Sequence, residues 1–324
     1  MNFTLNIDFP KLNKPINYTN KIVLLGSCFT EHITHFLHRA KFKTMQNSHG
    51  IVFNPLSVCK AIDDVIECKA YKETDLFLLN EYWNSWYHHT DFSYRDKSKT
   101  LDRIIQEIKL QHEFLKTADT LFITLGSAFA YNLIEQNIYV SNNHRAPSQW
   151  FRKELLSIET ISTSLENTLS NLKKFNPTIQ VVFTISPVRH IRDGVIENNR
   201  SKARLLEAVH SLENIYYFPS YELVIDILRD YRFYDMDMVH PNYQATAYVW
   251  EQFVSHCIDP NCLPLMKQLE QIYKARHHRS KDTGSEAHLT FLQDHLELCN
   301  ELKHNYPYLD LEEDIDYFST HSSR

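Results

Sequence analysis

The chain has 324 residues, of which 43% are hydrophobic and 13% aromatic, so it is large and apolar enough to bury a full-sized core. Its formal net charge is only −6, and no lysine and arginine stripe is interleaved with aromatic residues, so we expect no nucleic-acid partner. No apolar run reaches the ~18 residues of a membrane-spanning helix, and the start of the chain lacks the basic and apolar regions of a secretory signal. The six cysteines show no C-x-x-C spacing, which is typical of free thiols, and we expect a cytoplasmic protein.

Strand and helix patterns alternate along the chain. Strand patterns cover residues 21–25, 119–125, 179–185 and 215–218. Helix patterns cover residues 29–40, 55–66, 101–116, 157–174 and 199–212. Strands that alternate with helices predict a mostly parallel sheet, because parallel strands are joined by helical crossovers. We therefore predict an α/β fold with three layers, α/β/α, in which helices cover both faces of the sheet.

Two stretches fall outside this alternation. Residues 70–97 are rich in aromatic side chains, and we interpret them as an insertion that folds over the edge of the sheet. Residues 263–324 carry a helical pattern and end in an acidic run, which favours a helical hairpin packed on the rest of the chain. The predicted organisation is an α/β domain over residues 1–262 and a C-terminal helical appendix over residues 263–324.

Glycines mark the turns that matter for function. The chain has only five of them; Gly26 and Gly126 directly follow apolar strands, and Gly50 lies in a separate turn. A chain this poor in glycine keeps one mainly where the backbone needs a positive φ or the absence of a side chain. Ligands of parallel sheets bind beyond the carboxyl ends of the strands. We therefore expect these turns to meet segments 186–190 and 237–240 at one edge of the sheet.

Five short motifs in the chain resemble those of a known family. They are LGSCFT at 25–30, GIVFNP at 50–55, TLGSA at 124–128, SPVRH at 186–190 and DMVHP at 237–241. Together they resemble the GSCFA family of the SGNH/GDSL hydrolase superfamily over roughly residues 20–260. The resemblance implies the flavodoxin-like SGNH hydrolase fold, with three layers, and ester or acyl chemistry.

The resemblance leaves two candidate nucleophiles. Superfamily esterases carry Gly-Asp-Ser, and an ungapped match places Ser27 where the aspartate stands and Cys28 where the nucleophilic serine stands. An offset of one residue would restore Ser27, but it requires an insertion or deletion in a tight turn. Free N–H groups and the helix dipole favour an anion at the start of a helix, so we expect Cys28 to be partly exposed, with a lowered thiol pKa. The alternative is that Cys28 is simply buried beneath the helix.

Asp237 and His240 are the candidate partners of the nucleophile. The Asp-x-x-His spacing suits a pair in which the carboxylate receives the Nδ1 proton and Nε2 faces the nucleophile. In this interpretation His240 acts as base and then as acid for Cys28 or Ser27, while Asp237 fixes the tautomer. The alternative is a surface loop in which Asp237 caps the turn and His240 is solvated.

The predicted oxyanion hole lacks one donor of the superfamily. The expected donors are the N–H groups of Cys28 and Gly50 and an asparagine side chain, whose position is occupied here by Ala128. Losing one such donor typically costs ~3 kcal/mol of transition-state stabilisation, so we predict that a polar side chain from another loop replaces it. The candidates, in order of preference, are Asn143 and His144, then His190, then Ser127. For each, the alternative is an ordinary role in a loop.

A further set of residues is predicted to contact the substrate: Gly126, Ser127, Arg189, His190, Trp86 and His88. Arg189 follows a buried strand, so its guanidinium can bind a carboxylate or phosphate at two points, unless it forms a structural ion pair. The rings of Trp86 and His88 suit a stacking wall for a sugar; the alternative is that they pack the insertion.

Taken together, these residues favour an acyl-processing enzyme that acts on a small-molecule or glycan ester. Hydrolysis and acetyl transfer differ only in whether water or another nucleophile resolves the acyl-enzyme, and acyl-CoA is the candidate donor for transfer. One alternative is a non-catalytic glycan- or nucleotide-binding module on a degenerate fold, which the Ala128 substitution favours. Another is a scaffold whose helical appendix recruits a partner.

No metal or other cofactor is predicted. His32, His35 and His38 lie on one predicted helix, but they have no carboxylate or cysteine partner at ligand spacing. The sequence does not indicate an oligomeric state.

Overall fold

The computed structural model describes residues 5–322, in which there are ten strands and ten α-helical segments. The strands are β1 (Lys21–Gly26), β2 (Lys43–Gln46), β3 (Phe77–Leu79), β4 (Tyr82–Asn84), β5 (Thr120–Leu125), β6 (Phe129–Leu133), β7 (Ile138–Val140), β8 (Phe151–Leu155), β9 (Gln180–Ile185) and β10 (Tyr216–Tyr217). The helices are α1 (Cys28–Arg39), α2 (Pro55–Ile66), α3 (Lys97–Lys116), α4 (Ile158–Phe175), α5 (Val195–His210), α6 (Ser220–Glu222), α7 (Tyr243–Cys257), α8 (Leu263–Arg276), α9 (Glu286–Asn305) and α10 (Glu312–Ser322).

Five parallel strands form the central sheet, in the order β2-β1-β5-β9-β10. The register brings the strand ends together, because Gly26 of β1 pairs with Thr124 of β5, and Leu125 of β5 pairs with Ile185 of β9. Counted along the chain, this is the 2-1-3-4-5 order of flavodoxin-like folds. The predicted fold class is confirmed, and the carboxyl ends of β1, β5 and β9 lie side by side.

Alternating side chains of the central strands supply two cores, one on each face of the sheet. Leu24 and Phe122 belong to the core that is completed by α1, α7 and α8. Leu25 and Ile123 belong to the opposite core, which is completed by α2, α4 and α5. Helices therefore cover both faces, as predicted, and β1 and β5 are buried between them.

A second sheet, β7-β6-β8, is antiparallel and does not appear among the predicted elements. Its strands have three to five residues and are partly exposed, so their apolar alternation is weak. The aromatic insertion contains the β3–β4 hairpin and packs Trp86 against Leu133 and Phe151 of this sheet. At the end of the insertion, the N–H of His89 donates to the carbonyl of His49 at 2.7 Å. The insertion therefore lies beside the turn that contains Gly50.

The C-terminal segment forms three helices, α8, α9 and α10, rather than the two helices of the predicted hairpin. Leu265 of α8 and Phe318 of α10 are buried in the same cluster as Phe29 of α1. The Arg39 guanidinium at the end of α1 binds the Glu270 carboxylate of α8 at 2.7 and 2.9 Å. The C-terminal helices thus complete the core beneath α1. Within residues 5–322, no helix has both the length and the apolarity needed to cross a membrane.

Candidate active site

The loops that follow β1, β5 and β9 meet at the carboxyl edge of the sheet and are joined through their backbones. The N–H of Val52 donates to the carbonyl of Gly26 at 3.2 Å, and the N–H of Gly126 donates to the carbonyl of Phe53 at 2.8 Å. On the other side of β5, the N–H of Ser186 donates to the carbonyl of Leu125 at 2.8 Å. The loop after β2, which contains Gly50, is therefore in direct contact with the ends of β1 and β5, and the loop after β9 contacts the end of β5.

Gly26 makes the tight connection from β1 to α1. Its φ is +144°, and a Cβ at this position would lie 2.2 Å from the carbonyl oxygen of Thr124 on the neighbouring strand. Its N–H donates to the side-chain oxygen of Asn47 at 3.0 Å. No residue with a side chain fits here without moving β5, so this glycine fixes where α1 begins.

The two candidate nucleophiles differ in exposure. Ser27 is the N-cap of α1 and is only 3% exposed, and its buried hydroxyl has no hydrogen-bond partner among the described residues. Cys28 is the first residue of α1 and is half-buried. At the helix start the serine hydroxyl is thus buried, and the half-buried Cys28 packs against the core cluster that contains Phe29.

The pKa of the Cys28 thiol is raised, whereas the sequence predicts that it is lowered. Burial is the largest cause, and the nearby Glu31 carboxylate adds to it. Lys202 and the N–H groups of Phe29 and Cys28 act in the opposite direction but do not prevail. The helix start does stabilise the anion, as expected, but desolvation outweighs it. The prediction of a lowered pKa is therefore wrong, and the resting thiol is protonated.

Asp237 both caps its turn and holds the ring of His240. One carboxylate oxygen accepts the N–H groups of Val239 and His240 at 2.9 and 3.0 Å, and the other accepts Nδ1–H of His240 at 2.6 Å. These hydrogen bonds, led by the one from the His240 backbone, lower the pKa of Asp237 to about 2. Because Nδ1 is occupied by the carboxylate, Nε2 is the nitrogen that can exchange a proton with another group.

His240 lies close to the start of α1 and to the loop after β9. Its charge contributes to lowering the pKa of His32 on α1, where burial is the larger cause. Cys28 and His32 are four residues apart and share one face of the helix. His240 also contributes to lowering the pKa of His190. His240 is therefore close enough to His32 and His190 to affect both rings, and its pairing with Cys28 stays a prediction.

His190 lies directly beside Ser27 and the Gly126 turn. A Cβ on Gly126 would lie 3.3 Å from Nε2 of His190 and 3.4 Å from Cβ of Ser27. The His190 ring stacks on Phe53 with centroids 5.3 Å apart, and its buried Nε2 has no hydrogen-bond partner among the described residues. Burial, with smaller contributions from Lys202 and His240, lowers the pKa of His190 to about 4, so the ring is neutral at neutral pH.

Two of the predicted oxyanion groups are already engaged. The N–H of Gly50 donates to the carbonyl of Asn47 at 2.8 Å, which corrects the prediction that it is free to bind an oxyanion. His144 is 6% exposed, and its Nε2 lies 2.8 Å from the carbonyl of Ser85 within the insertion. This corrects the prediction for His144, whose ring packs the insertion. Asn143 accepts a backbone hydrogen bond from Ala146 in its own turn, and its catalytic role stays a prediction.

Three of the predicted substrate contacts are buried. The Trp86 ring stacks on Phe77 with centroids 3.7 Å apart, and His88 stacks on His49 at 4.3 Å. Neither ring has a free face, so the predicted stacking wall is corrected to packing of the insertion. The Ser127 hydroxyl accepts the N–H of Phe129 at 3.1 Å and is 3.3 Å from the Ser201 hydroxyl, which corrects its predicted contact with substrate.

Arg189 lines a cavity of about 360 Å³ next to the His240 turn, together with Arg229 and Tyr231. Its guanidinium lies 4.1 Å from the ring centroid of Tyr234 and donates to the carbonyl of Met238 at 3.4 Å. Among residues 5–322, no carboxylate forms an ion pair with it, which argues against the alternative of a structural salt bridge. The cavity is also lined by Asp226 and Asp230, and the role of Arg189 in binding a ligand stays a prediction.

Helix α5 supplies side chains that the sequence analysis did not assign to the site. Asn198 accepts the N–H of His190 at 2.9 Å, and Ser201 accepts the N–H of Ala128 at 2.7 Å. Lys202 donates to the carbonyls of Gly126 and Ser186, both at 2.6 Å. The signal for these residues was present in the sequence, because positions 198, 201 and 202 continue the helical stripe of buried Leu205, Ala208 and Val209. Polar residues on an apolar stripe indicate buried hydrogen bonds.

No group of three histidine, cysteine, aspartate or glutamate side chains that could hold a metal ion occurs in the described part of the chain.

The fold and the site can now be compared with known proteins. No curated protein matches the sequence. Among solved structures, the chain is similar to a carbohydrate esterase family 3 from Talaromyces cellulolyticus, with 11% sequence identity and a TM-score of 0.36. The match covers 76% of this chain and 98% of that chain. It is also similar to an acetyl xylan esterase from the rumen bacterium Butyrivibrio proteoclasticus, with 11% identity, coverage of 78% and 67%, and a TM-score of 0.38. An acetyl esterase variant crystallised with acetate is similar at 12% sequence identity and a TM-score of 0.34. That match covers 77% of this chain and 99% of that chain.

Two family models match the sequence itself. The C-terminal domain model of GSCFA domain proteins matches residues 269–321. The GSCFA family model matches residues 21–253, which contain all five motifs of the sequence analysis, and the chain belongs to the GSCFA family.

Proposed function

We propose that this protein is an acyl-processing enzyme that cleaves small carboxylic esters with Cys28 as nucleophile, His240 as base and Asp237 as the group that orients His240. The observation that carries the proposal is the Asp237–His240 pair, whose Nδ1–H bond of 2.6 Å directs Nε2 away from the carboxylate. The effect of His240 on His32, one turn after the half-buried Cys28 on α1, supports the pairing of His240 with the thiol. The burial of Ser27 favours the thiol over the hydroxyl as nucleophile.

The raised pKa of Cys28 determines how the reaction begins. Because the resting thiol is protonated, attack requires Nε2 of His240 to remove its proton as the sulfur approaches the acyl carbon. The new S–C bond converts the acyl carbonyl into an oxyanion. When the tetrahedral intermediate collapses, the C–O bond of the ester breaks, and the leaving alkoxide takes the proton from His240.

The second half of the reaction resolves the acyl thioester. His240 removes a proton from water, the resulting hydroxide adds to the acyl carbon, and the C–S bond breaks as the proton returns to the sulfur. The products are the carboxylic acid and the free thiol. If an acceptor hydroxyl takes the place of water, the same steps transfer the acyl group. Throughout both halves, Asp237 stabilises the imidazolium form of His240.

We assign the missing oxyanion donor to His190. Its neutral ring has a buried Nε2 without a partner, next to Ser27 and Gly126, and the N–H of Cys28 supplies the second donor. With the proton on Nε2, this ring can donate to the oxyanion, as the asparagine of the superfamily does. Arg189, at the cavity beside the His240 turn, is the residue we propose to bind an anionic or hydroxyl-rich part of the substrate.

Hydrolysis of 4-nitrophenyl acetate tests the proposal. Wild-type protein should release nitrophenolate, Cys28→Ala should lose this activity, and Ser27→Ala, which alters a buried hydroxyl, should keep most of it. Mass spectrometry of the quenched reaction should find an acetyl group on the peptide that contains Cys28. An active Cys28→Ala variant with an inactive Ser27→Ala variant would move the nucleophile to Ser27.

A non-catalytic binding module is the second candidate, and two observations favour it. Burial raises the pKa of Cys28, and the N–H of Gly50 is engaged by Asn47, so both the nucleophile and one oxyanion donor depart from the superfamily pattern. This alternative predicts no turnover of aryl acetates, acetylated sugars or acetyl-CoA with sugar acceptors. It also predicts that glycans or nucleotides bind and that Arg189→Ala weakens their binding.

A further inference from the structure

Lys202 of α5 is a buried lysine at the centre of the carboxyl edge. It is 1% exposed, and no carboxylate in residues 5–322 forms an ion pair with it. Its ammonium nitrogen donates to the carbonyls of Gly126 and Ser186, both at 2.6 Å. Burying a lysine with only neutral oxygen partners is costly, and such lysines concentrate at functional sites. The sequence therefore retains a polar residue where a leucine or methionine would complete the apolar stripe.

The carbonyls that Lys202 binds belong to the turns of the candidate site. Gly126 follows β5 and lies within van der Waals distance of Ser27 and His190, and Ser186 follows β9. By binding both, Lys202 ties together the ends of two neighbouring strands. Shortening this side chain would release both turns at once.

The charged and titratable groups that face Lys202 come from three elements. They are Cys28 at the start of α1, His190 in the loop after β9, and Tyr221 of α6, whose ring centroid is 5.9 Å from the Lys202 nitrogen. His190 is held neutral, and the phenol of Tyr221 has a raised pKa because it is buried. The thiol of Cys28 is thus the one group of the three that becomes an anion when it attacks a substrate.

We propose that Lys202 is a positioning residue for the nucleophile: its ammonium holds the Gly126 and Ser186 turns together, and its positive charge stabilises the negative charge on the sulfur of Cys28. The catalytic meaning of this role rests on the proposed function, but the interaction of the two side chains does not. In the protein, Lys202 lowers the pKa of Cys28, and Cys28 raises that of Lys202. Burial, the larger influence, lowers the pKa of Lys202 to about 7, so its charge acts on the thiol mainly below neutral pH.

The test is the pH dependence of iodoacetamide alkylation at Cys28, measured by mass spectrometry between pH 6 and pH 9. Lys202→Gln keeps N–H donors for the two carbonyls but has no charge, and Lys202→Met has neither. We expect both variants to raise the pKa of Cys28, so that alkylation at pH 6.5 slows about tenfold. Cys68, the other half-buried thiol, is the internal reference and should not change. Arg200→Met, at an exposed position of the same helix, is the matched control.

A wild-type alkylation profile in folded Lys202→Gln would overturn the charge effect. If both variants fail to fold, the coupling can be measured in the wild-type chain by following the Lys202 Cε signal by NMR through a pH titration. Carboxymethylation of Cys28 with iodoacetate should then raise the pKa of Lys202, because it fixes a negative charge beside the sulfur, whereas neutral carbamidomethylation should not, and an unchanged pKa in both adducts would overturn the proposal. Neither measurement needs a substrate, so a protein that cleaves no ester but shows the coupling would contradict the proposed function alone.

Discussion

The Asp237–His240 and Asp64–His49 pairs each join a carboxylate to a histidine ring nitrogen, Nδ1 of His240 and Nε2 of His49, in opposite surroundings. The first pair is joined at 2.6 Å, and the side chains are 49% and 44% exposed; the second is joined at 3.2 Å, and the side chains are 1% and 0% exposed. Both ring nitrogens of His49 are used, because Nδ1 also lies 2.9 Å from the hydroxyl of Ser48. Nε2 of His240 has no partner among the described residues, so it can exchange protons with a substrate or a thiol.

The surroundings of Asp64 explain why the buried pair is structural. Its carboxylate accepts hydrogen bonds from Lys60 and, at 2.7 Å, from the hydroxyl of Tyr71. Despite burial, hydrogen bonds and opposite charges, led by His49, lower the pKa of Asp64 to about 2. The network connects α2 to the insertion and to the turn that contains Gly50. The comparison shows that solvent access and a free ring nitrogen, rather than the pair itself, distinguish a candidate catalytic histidine.

The largest effect should come from breaking the exposed pair. Asp237→Asn presents an amide to Nδ1 and favours the wrong tautomer of His240, so we expect kcat for aryl acetates to fall by about 10³–10⁴-fold. Because Asp237 is exposed, the thermal unfolding midpoint should not change. Asp235→Asn, an exposed carboxylate two residues earlier, is the control and should keep its activity. An Asp237→Asn variant with more than a tenth of wild-type kcat would remove His240 from the mechanism.

Breaking the buried pair should instead affect folding. Asp64→Asn leaves the Lys60 ammonium without its buried anion and weakens the hydrogen bonds of the His49 ring and the Tyr71 hydroxyl, so we expect the free energy of unfolding to fall by about 3–5 kcal/mol in urea titrations. Asp63→Asn, the neighbouring half-buried carboxylate, keeps an oxygen that can accept the hydrogen bond from Thr168 of α4 and should cost less than about 1 kcal/mol. Equal losses in the two variants would mean that the network of Asp64 adds nothing beyond the hydrogen bonds of Asp63.

A third comparison concerns two buried histidines that both have a pKa of about 4, His190 and His144. If His190 is the oxyanion donor, His190→Ala should lower kcat by about 100-fold and leave KM nearly unchanged, because the contact forms mainly in the transition state. His144→Ala should lower stability but not kcat of the folded protein. A similar small loss of kcat in both variants would exclude His190 as the donor.

The smallest expected effect is the contribution of Asp64 to the pH dependence of the free energy of unfolding. Its pKa is about 2 in the folded protein and 3.8 when unperturbed, so its contribution is complete above pH 4 and is lost as the pH falls from about 4 to 2. The stability gap between wild type and Asp64→Asn should therefore shrink by about 2 kcal/mol over this range. A gap that stays constant down to pH 2 would show that Asp64 titrates alike in both states.

The central sheet can be predicted because β1, β5 and β9 are short, continuous apolar runs between helical patterns. Such runs are typical of strands that are buried on both faces of a parallel sheet. The sheet β7-β6-β8 escapes prediction because its strands are short and partly exposed, so their pattern does not stand out from a loop. The Asp237–His240 pair can be recognised because it is local, three residues apart in one turn. The predicted family and fold class are confirmed, because the motifs behind them are also local.

The features that could not be predicted depend on contacts between distant segments. The direction of the Cys28 pKa shift depends on how deeply the thiol is buried, and no local motif encodes burial. The hydrogen bond of the Gly50 N–H depends on the turn that Asn47 adopts, and the packing of Trp86 depends on a sheet whose strands lie 43 to 69 residues later in the chain. Lys202 was missed because its partners are backbone carbonyls, which any sequence supplies.

The shared core of α1 and the C-terminal helices has a consequence for synthesis on the ribosome. Phe29 and Ile33, next to the candidate nucleophile, belong to the same buried cluster as Leu302 and Phe318. The core that contains α1 is therefore incomplete until nearly the whole described chain has left the exit tunnel. We expect nascent chains arrested before residue 300 to expose apolar residues of this core, to be cleaved readily by protease and to be recognised by chaperones. The core that begins with the helix of the candidate nucleophile is thus completed only by some of the last segments to be made.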